Sequence, residues 1–164
     1  MVALMSARDF HMKRRHLGLK KSSFHFHRDM QKVVVFDLDD TLIHEGFSES
    51  EPRLCAETPK VLEYLLQKGH KLSIASHNHR ALKILETIHL HDHFAVVCGY
   101  VPKCVTKNPH IEEILTALKA QKDSIVLFDD LQSNITAAKQ YGVSAHLVNW
   151  KTGITFKDVQ RARL

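Results

Sequence analysis

Five short apolar runs recur along the chain from residue 33 onward, and each has the composition of a strand. The first, Val33-Val34-Val35-Phe36, is continuous and mostly β-branched, which suits a strand that is buried on both faces of a sheet. Similar runs follow at 71–75, 94–98, 125–128 and 144–148. We therefore predict about five strands.

The segments between these runs carry apolar residues at helical spacing. They are centred on Val61–Leu66, Leu82–Ile88, Ile111–Leu118 and Ile135–Tyr141. The first predicted helix has Thr58 as its N-cap and Pro59 at its first position. Gly69 and Gly142 are predicted to end the first and the last of these helices.

Strands that alternate with helices of this length predict a fold class. The pattern indicates an α/β domain, a doubly wound parallel sheet with helices on both faces. Ligands of such folds bind beyond the carboxyl ends of the strands. The residues that follow each predicted strand are therefore the candidates for chemistry.

The positive charge of the chain is concentrated near its start. The net charge is +5, yet residues 1–32 alone hold eight basic and two acidic residues, and the rest has a net charge of −1. We therefore predict a basic leader at 1–31 and a domain at 32–164. A solvated tail, a mitochondrial transit peptide, an RNA- or lipid-binding patch and an edge strand at 24–27 are all open for the leader.

The remaining composition excludes several classes of protein. No apolar run approaches the ~18 residues that span a bilayer, and residues 1–30 lack the apolar stretch of a secretory signal. Three cysteines without a C-x-x-C pair do not form a disulfide framework. We therefore expect a reducing, cytoplasmic location, with mitochondrial targeting by the leader as an alternative.

Polar side chains follow three of the predicted strands and precede one helix. Asp37 and Asp39 come after the first strand, Ser76 after the second and Asp129-Asp130 after the fourth, and Lys107 precedes the third helix. Carboxylates crowded at one edge of a sheet need a cation. Oxygen ligands favour Mg²⁺, which leaves positions open for water and phosphate.

This set of residues predicts phosphoryl transfer. Lys107 and the Ser76 hydroxyl are placed to hold phosphate oxygens, and Asp37 is a plausible nucleophile toward phosphorus. Asp39, two residues later, can protonate the leaving alcohol and then activate water. Lys103 competes with Lys107 for the lysine role, and the spacing to Pro109 favours Lys107.

Two other metal-site and phosphatase chemistries find less support. By spacing, neither the pair His77/His79 nor the triplet His89/His91/His93 converges on one zinc ion, so these histidines are interpreted as mostly solvated. No cysteine is followed by an arginine six residues later, which excludes a cysteine phosphatase of that pattern.

The four clusters together resemble the motifs of the haloacid dehalogenase superfamily. The stretch 36–42, FDLDDTL, is similar to its D-x-D-x-T signature, and Ser76 and Lys107 are similar to its second and third motifs. Asp129-Asp130 followed by Asn134 looks like the fourth. The stretch 127–135, running on to Tyr141-Gly142-Val143, is similar to the small magnesium-dependent phosphatases of eukaryotes.

The resemblance implies a role for each matching residue. The Asp37 carboxylate, the Asp39 carbonyl and Asp130 would bind Mg²⁺, with Asp129 and Asn134 as outer support. His77 falls where those relatives often carry arginine, which implies a phosphate contact. Asp39 favours a phosphatase or a phosphomutase over a dehalogenase or a transport ATPase.

The spacing of the motifs predicts a nearly capless enzyme. Only Ile43–Thr58 separate the first motif from the first helix, so residues 44–47 are the one obvious local lid. We predict a Mg²⁺-dependent phosphomonoester hydrolase with an aspartyl-phosphate intermediate. Its substrate would be a phosphoprotein, a phosphosugar or a nucleic-acid end. The alternative is a non-catalytic phosphate- and metal-binding module, docked to nucleic acid or membrane by the basic residues 1–32.

Overall fold

A parallel sheet lies at the centre of the computed structural model, which describes residues 31–44 and 52–164. The described strands are β1 (Val33–Phe36), β2 (Ile43–His44), β3 (Arg53–Leu54), β4 (Lys71–Ala75), β5 (Val96–Cys98), β6 (Ile125–Asp129) and β7 (Ser144–Leu147). The helices are α1 (Thr58–Gln67), α2 (Ala81–Thr87), α3 (Asn108–Leu118), α4 (Gln132–Gln140) and α5 (Phe156–Arg161). Short 3-10 turns lie at His91–His93 and Lys122–Ser124.

Strand β1 occupies the middle of the sheet. The strand order is β5-β4-β1-β6-β7, and every neighbouring pair is parallel. Val33 lies opposite both Lys71 of β4 and Ile125 of β6. All four residues of β1 are buried, which explains why this strand is apolar without alternation.

Helices cover both faces of the sheet, as predicted. Val34 and Phe36 point into a core that also holds buried residues of α1, α2 and α5. Val33 and Val35 point to the opposite side, into a core formed with α3 and α4. Since successive side chains of a strand face opposite ways, one apolar strand contributes to both cores. The predicted doubly wound α/β fold is confirmed.

Element boundaries differ from the predictions by one or two residues. Strand β5 begins at Val96 instead of Phe94, because the Phe94 amide closes the preceding 3-10 turn on His91. The predicted N-cap of α1 is wrong. Glu57 occupies that position, and the Thr58 hydroxyl lies inside the helix and donates to the Leu42 carbonyl at 3.0 Å. The helix-ending glycines were predicted correctly, with φ of +84° at Gly69 and +93° at Gly142.

The described connection between β1 and α1 is small. It contains the antiparallel pair of β2 and β3. The predicted lid at 44–47 lies outside the described residues apart from His44, and the leader lies outside them apart from Gln31. No helix within the described ranges is long and apolar enough to cross a membrane.

Candidate active site

The predicted site residues lie at the carboxyl edge of the sheet because β1 runs between β4 and β6. Asp37 directly follows β1, and its amide donates to the Phe128 carbonyl of β6 at 2.9 Å. Ser76 directly follows β4, and Asp129 is the last residue of β6. Three strand ends therefore bring side chains that are far apart in sequence to one edge.

Lys107 binds Asp37 directly. Its Nζ lies 2.7 Å from Asp37 Oδ1 and 3.9 Å from Asp129 Oδ2, and the lysine is only 2% exposed. Lys107 is the N-cap of α3, so the start of that helix positions it. Lys103 is exposed, four residues earlier. The structure thus places the predicted lysine, and not its competitor, at the nucleophile candidate.

Three carboxylates cluster at this edge of the sheet. Oxygen atoms of Asp37, Asp129 and Asp130 lie within 4.8 Å of one another. Burial and then the Asp37 charge raise the pKa of Asp129 to about 7, against the opposing effects of Lys107 and Asn134. Burial and the Asp37 charge also raise the pKa of Asp130 to about 6. Negative charge at this edge therefore exceeds what Lys107 alone neutralises.

The hydrogen bonds divide these carboxylates into two kinds. Asn134 Nδ2 lies 3.0 Å from both oxygens of Asp129, and the Leu131 amide donates to Oδ1 at 2.9 Å. Both oxygens of Asp129 therefore already accept hydrogen bonds from protein donors. Asp37 and Asp130 remain to supply carboxylate oxygens, a donor type that fits Mg²⁺.

Asp39 is held by Asn78, which lies two residues after Ser76. Asn78 Nδ2 donates to both Asp39 oxygens, at 3.1 and 3.3 Å. The Asn78 amide in turn donates to the Ser76 hydroxyl at 3.0 Å. Asn78 thereby links Ser76, which follows β4, to Asp39, which follows β1.

The turn that carries Asp39 has a tight backbone. Asp40 has a φ of +54°, and its amide donates to the Ile43 carbonyl at 2.6 Å. The Leu42 amide donates back to Leu38. After glycine, asparagine and aspartate adopt this left-handed conformation most readily, which fits aspartate at position 40.

His77 takes part in a second cluster. Its Nε2 lies 3.4 Å from the Thr106 carbonyl oxygen, and its ring centroid lies 5.2 Å from that of His110. One ligand atom each from His77, Cys104 and His110 lie within 4.8 Å of one another. Burial, followed by the charges of Lys107 and His77, lowers the pKa of His110, although the Gly99 carbonyl opposes this. The interpretation of these histidines as mostly solvated does not hold for His77, which is half-buried.

The carboxyl edge of the sheet thus combines three chemical abilities. A buried carboxylate is held by a lysine, a second carboxylate is oriented by an amide, and further carboxylate oxygens are available to a hard cation. Such a site can attack an electrophile, move a proton and bind an anion.

Solved structures show the same fold at low sequence identity. A hydrolase from Streptococcus pneumoniae TIGR4 is 16% identical with a TM-score of 0.66, covering 82% of this chain and 99% of that one. A haloacid dehalogenase superfamily hydrolase from Ehrlichia chaffeensis is 14% identical with a TM-score of 0.65, covering 82% and 96%. A predicted phosphatase from Clostridium acetobutylicum is 16% identical with a TM-score of 0.65, covering 81% and 91%.

A family model matches most of the described domain. No curated protein matches the chain in a sequence search. The model of the haloacid dehalogenase-like hydrolases matches residues 43–148, which include Ser76, Lys107 and Asp129-Asp130. The chain therefore belongs to the haloacid dehalogenase-like hydrolase family.

Proposed function

We propose that the protein is a Mg²⁺-dependent phosphomonoester hydrolase with Asp37 as its nucleophile. The observation that carries this proposal is the contact of Lys107 with Asp37 at 2.7 Å, beside Asp130 and Asp129. The contact with Lys107 fixes the Asp37 carboxylate at the end of β1, where it can attack a bound phosphoryl group. The family and the neighbour described as a predicted phosphatase support the same activity.

The first step transfers the phosphoryl group to the enzyme. An Asp37 oxygen attacks phosphorus, the ester P–O bond breaks, and the leaving alkoxide takes a proton from Asp39. Asn78 orients Asp39 for this transfer through its two hydrogen bonds. Lys107 and the Ser76 hydroxyl bind the non-bridging phosphoryl oxygens.

The second step releases phosphate. Asp39, now ionised, takes a proton from water, and the resulting hydroxide attacks the phosphorus of the aspartyl-phosphate. The bond to Asp37 breaks and restores the carboxylate. Asp39 is protonated again at the end of the step, so the cycle balances.

A magnesium ion would be held by the Asp37 carboxylate, the Asp39 carbonyl and Asp130. When bound, it would neutralise charge on the carboxylates and on the phosphoryl oxygens. Asp129 and Asn134 would support it from outside, since the Asp129 oxygens are occupied by Asn134 and the Leu131 amide. Closeness to the eukaryotic magnesium-dependent phosphatases and a phosphate contact of His77 stay predictions.

The surroundings of the site favour a substrate that is presented from outside. Leu131, next to Asp130, is 51% exposed, and Trp150, beyond β7, is 57% exposed. Exposed apolar residues beside the ends of β6 and β7 can contact the body of a phosphorylated macromolecule. A phosphoprotein, a phosphosugar or a nucleic-acid end remain the substrate classes of the proposal.

The non-catalytic alternative depends on residues 1–32, which lie outside the described ranges except for the last two. No comparison supports nucleic-acid contact. The Lys107–Asp37 and Asn78–Asp39 contacts serve phosphoryl transfer and are not needed merely to bind phosphate, so catalysis is the favoured function.

Hydrolysis of an aryl phosphate, with and without Mg²⁺, tests the proposal. Asp37→Asn is expected to lose about 10³-fold or more of kcat, because it removes the attacking oxygen. Asp92→Asn, at an aspartate whose side chain is fully exposed, is the matched control and should retain activity. Acid-quenched wild-type protein should carry a phosphoryl group on the peptide that contains Asp37. Metal-independent turnover, or an Asp37→Asn variant as active as the control, would refute the proposal.

A further inference from the structure

A second group of metal-ligating side chains lies beside the proposed phosphate site. His77 follows Ser76 at the end of β4, Cys104 lies between β5 and α3, and His110 lies in the first turn of α3. One nitrogen or sulfur atom of each lies within 4.8 Å of the others. Neither residue type belongs to the oxygen set of Asp37, Asp129 and Asp130, so the two clusters select different ions.

The His110 ring is prepared as a ligand. It is fully buried, and its Nε2 lies 2.8 Å from the Gly99 carbonyl oxygen. A carbonyl only accepts, so Nε2 carries the proton and Nδ1 carries the lone pair. Nδ1 is buried, and no hydrogen bond of ordinary length and angle reaches it within the described residues, although the Ser76 backbone lies close to the ring. A metal-ligating histidine typically has this arrangement, with one nitrogen donating to a backbone carbonyl and the other bound to the ion.

The other two ligands converge on one backbone oxygen. Cys104 Sγ lies 2.7 Å from the Thr106 carbonyl oxygen, and His77 Nε2 lies 3.4 Å from the same atom. Cys104 is half-buried, so an ion can reach it without unfolding of the core. The His77 and His110 rings are tilted by 42° and are not stacked face to face.

We propose that His77, Cys104 and His110 bind a zinc ion. Two imidazole nitrogens and one thiolate form a borderline-soft donor set, which prefers Zn²⁺ to Mg²⁺. On binding, the Cys104 thiol releases its proton to solvent and Sγ bonds to the metal. Three protein ligands leave the fourth tetrahedral position to water. This assignment is an alternative to the phosphate contact predicted for His77 from the sequence.

Zinc in this position would connect the β5–α3 segment to the end of β4. Lys107 lies three residues after Cys104 and three residues before His110, so both flanks of the catalytic lysine would be fixed to the metal. Zinc would thereby position Lys107 without contacting the substrate. The inference does not depend on the proposed phosphatase activity.

Cobalt titration of the full chain tests the site directly. The chain is freed of metal with a chelator, returned to buffer with excess Mg²⁺, and titrated with Co²⁺ as a spectroscopic substitute for zinc. We expect one equivalent to produce thiolate-to-cobalt charge-transfer absorption and the intense visible bands of a tetrahedral ion. Stoichiometric Zn²⁺ should abolish both.

One ligand variant and one control variant test the assignment. Cys104→Ser should lose the charge-transfer band and weaken zinc binding by about 10²-fold or more. This loss should exceed the effect of replacing a residue that only hydrogen-bonds to a metal ligand. Asp130→Asn should leave the band unchanged, since it alters only the carboxylate cluster. The chain has three cysteines in all, so a thiolate band that persists in Cys104→Ser would come from Cys55 or Cys98 and would overturn the proposal.

A thermal measurement provides an independent result. Zinc should raise the melting temperature of the wild type and of Asp130→Asn, but not that of Cys104→Ser. Absence of a cobalt–thiolate band in folded wild type would overturn the site. Because no substrate is present, failure of the proposed phosphatase activity would not affect these results.

Discussion

Asn78 shows how one residue can matter without touching the reacting atoms in the proposed mechanism. Its side-chain amide donates to both carboxylate oxygens of Asp39, and its backbone amide donates to the Ser76 hydroxyl. The general acid of the proposal is therefore oriented by a neighbour from another strand end. General acid–base groups contribute about 10²–10⁴-fold to rate, and loss of orientation removes part of this.

Asn78→Ala is expected to lower kcat/KM, which reports the steps through cleavage of the ester bond, by about 10-fold or more for an alkyl phosphate. For nitrophenyl phosphate the loss of kcat/KM should be much smaller, because nitrophenolate leaves without protonation. Steady-state kinetics on both substrates measures the difference. His79→Ala, at the exposed neighbouring residue, should match the wild type on both. Equal losses on the two substrates would indicate a structural role for Asn78 instead.

Gly153 is a second position at which local geometry restricts the residue type. Its φ is +66°, and a Cβ there would lie 2.3 Å from Cys55 Sγ and 2.8 Å from the Thr41 carbonyl oxygen. In the same turn, the backbone amide of Ile154 donates to the Thr41 carbonyl oxygen at 2.8 Å. Close approach therefore ties the segment after β7 to the turn that contains Asp39.

Gly153→Ala should destabilise the protein by about 2–4 kcal/mol, from overpacking together with backbone strain. Gly69→Ala is the matched control, since its φ is +84° but no atom lies within 4 Å of the added Cβ. The control should cost about 1 kcal/mol from backbone strain alone. Denaturant unfolding of both variants gives the two free energies, and equal losses would show that the contact with Cys55 is unimportant.

At the scale of elements, the apolar runs predicted each strand of the main sheet because both faces of that sheet are covered. Helix ends were predicted less well at α1, since the Thr58 hydroxyl is used by the tertiary contact with Leu42 instead of a cap. Gly69 and Gly142 were predicted correctly, because left-handed backbone is a local requirement that glycine meets best.

The surroundings of the three cysteine thiols differ in burial and in nearby charge. Burial and the nearby charge of Asp40 raise the pKa of Cys55 to about 11. Burial and Glu113 raise the pKa of Cys98, the last residue of β5, to about 12. Cys104 lies in the half-buried connection to α3.

Iodoacetamide at about pH 8 should therefore alkylate Cys104 alone in the folded protein, because both other thiols are protonated well above this pH and are buried. Peptide mass spectrometry locates the label, and labelling in denaturant should reach all three residues. Zinc should protect Cys104 if the proposed site forms. Comparable labelling of Cys98 in the folded state would contradict the burial of the end of β5.

At the scale of the whole molecule, the strand order of the parallel sheet brings residues from separate parts of the sequence to one edge. Motifs after β1, β4 and β6 meet because these strands are neighbours, so Asp37, Ser76 and Asp129 could be placed together from the sequence. The Asn78–Asp39 contact and the histidine–cysteine cluster depend on the path of connecting segments. Residues 77, 104 and 110 share no spacing that predicts a common ion, so this cluster required coordinates.

The carboxylate cluster should couple metal binding to pH. The pKa values of Asp129 and Asp130 rise from 3.8 to about 7 and about 6 in the folded, metal-free protein. The folded state then holds protons more tightly than the unfolded chain. The contribution of this pair to stability is thus present at low pH and is lost as the pH rises from about 4 to 7.

Mg²⁺ competes with these protons, so its stabilising effect should be larger at about pH 7.5 than at about pH 5.5. Melting temperatures with and without Mg²⁺ at the two pH values measure the effect. Asp130→Asn should reduce the dependence on pH, because it removes one titrating ligand. An increase in melting temperature that is the same at both pH values would contradict the proposed linkage.

The central position of β1 has a consequence for synthesis on the ribosome. Its partners in the sheet, β4 and β6, begin at Lys71 and Ile125, so both emerge after it. Until β6 is made, the Val33–Phe36 run has one unpaired edge, the kind of edge that pairs with other chains. We expect nascent or truncated chains that end before Ile125 to aggregate or to require a chaperone. The strand that precedes the proposed nucleophile would thus gain its second neighbour only after β6 has been translated.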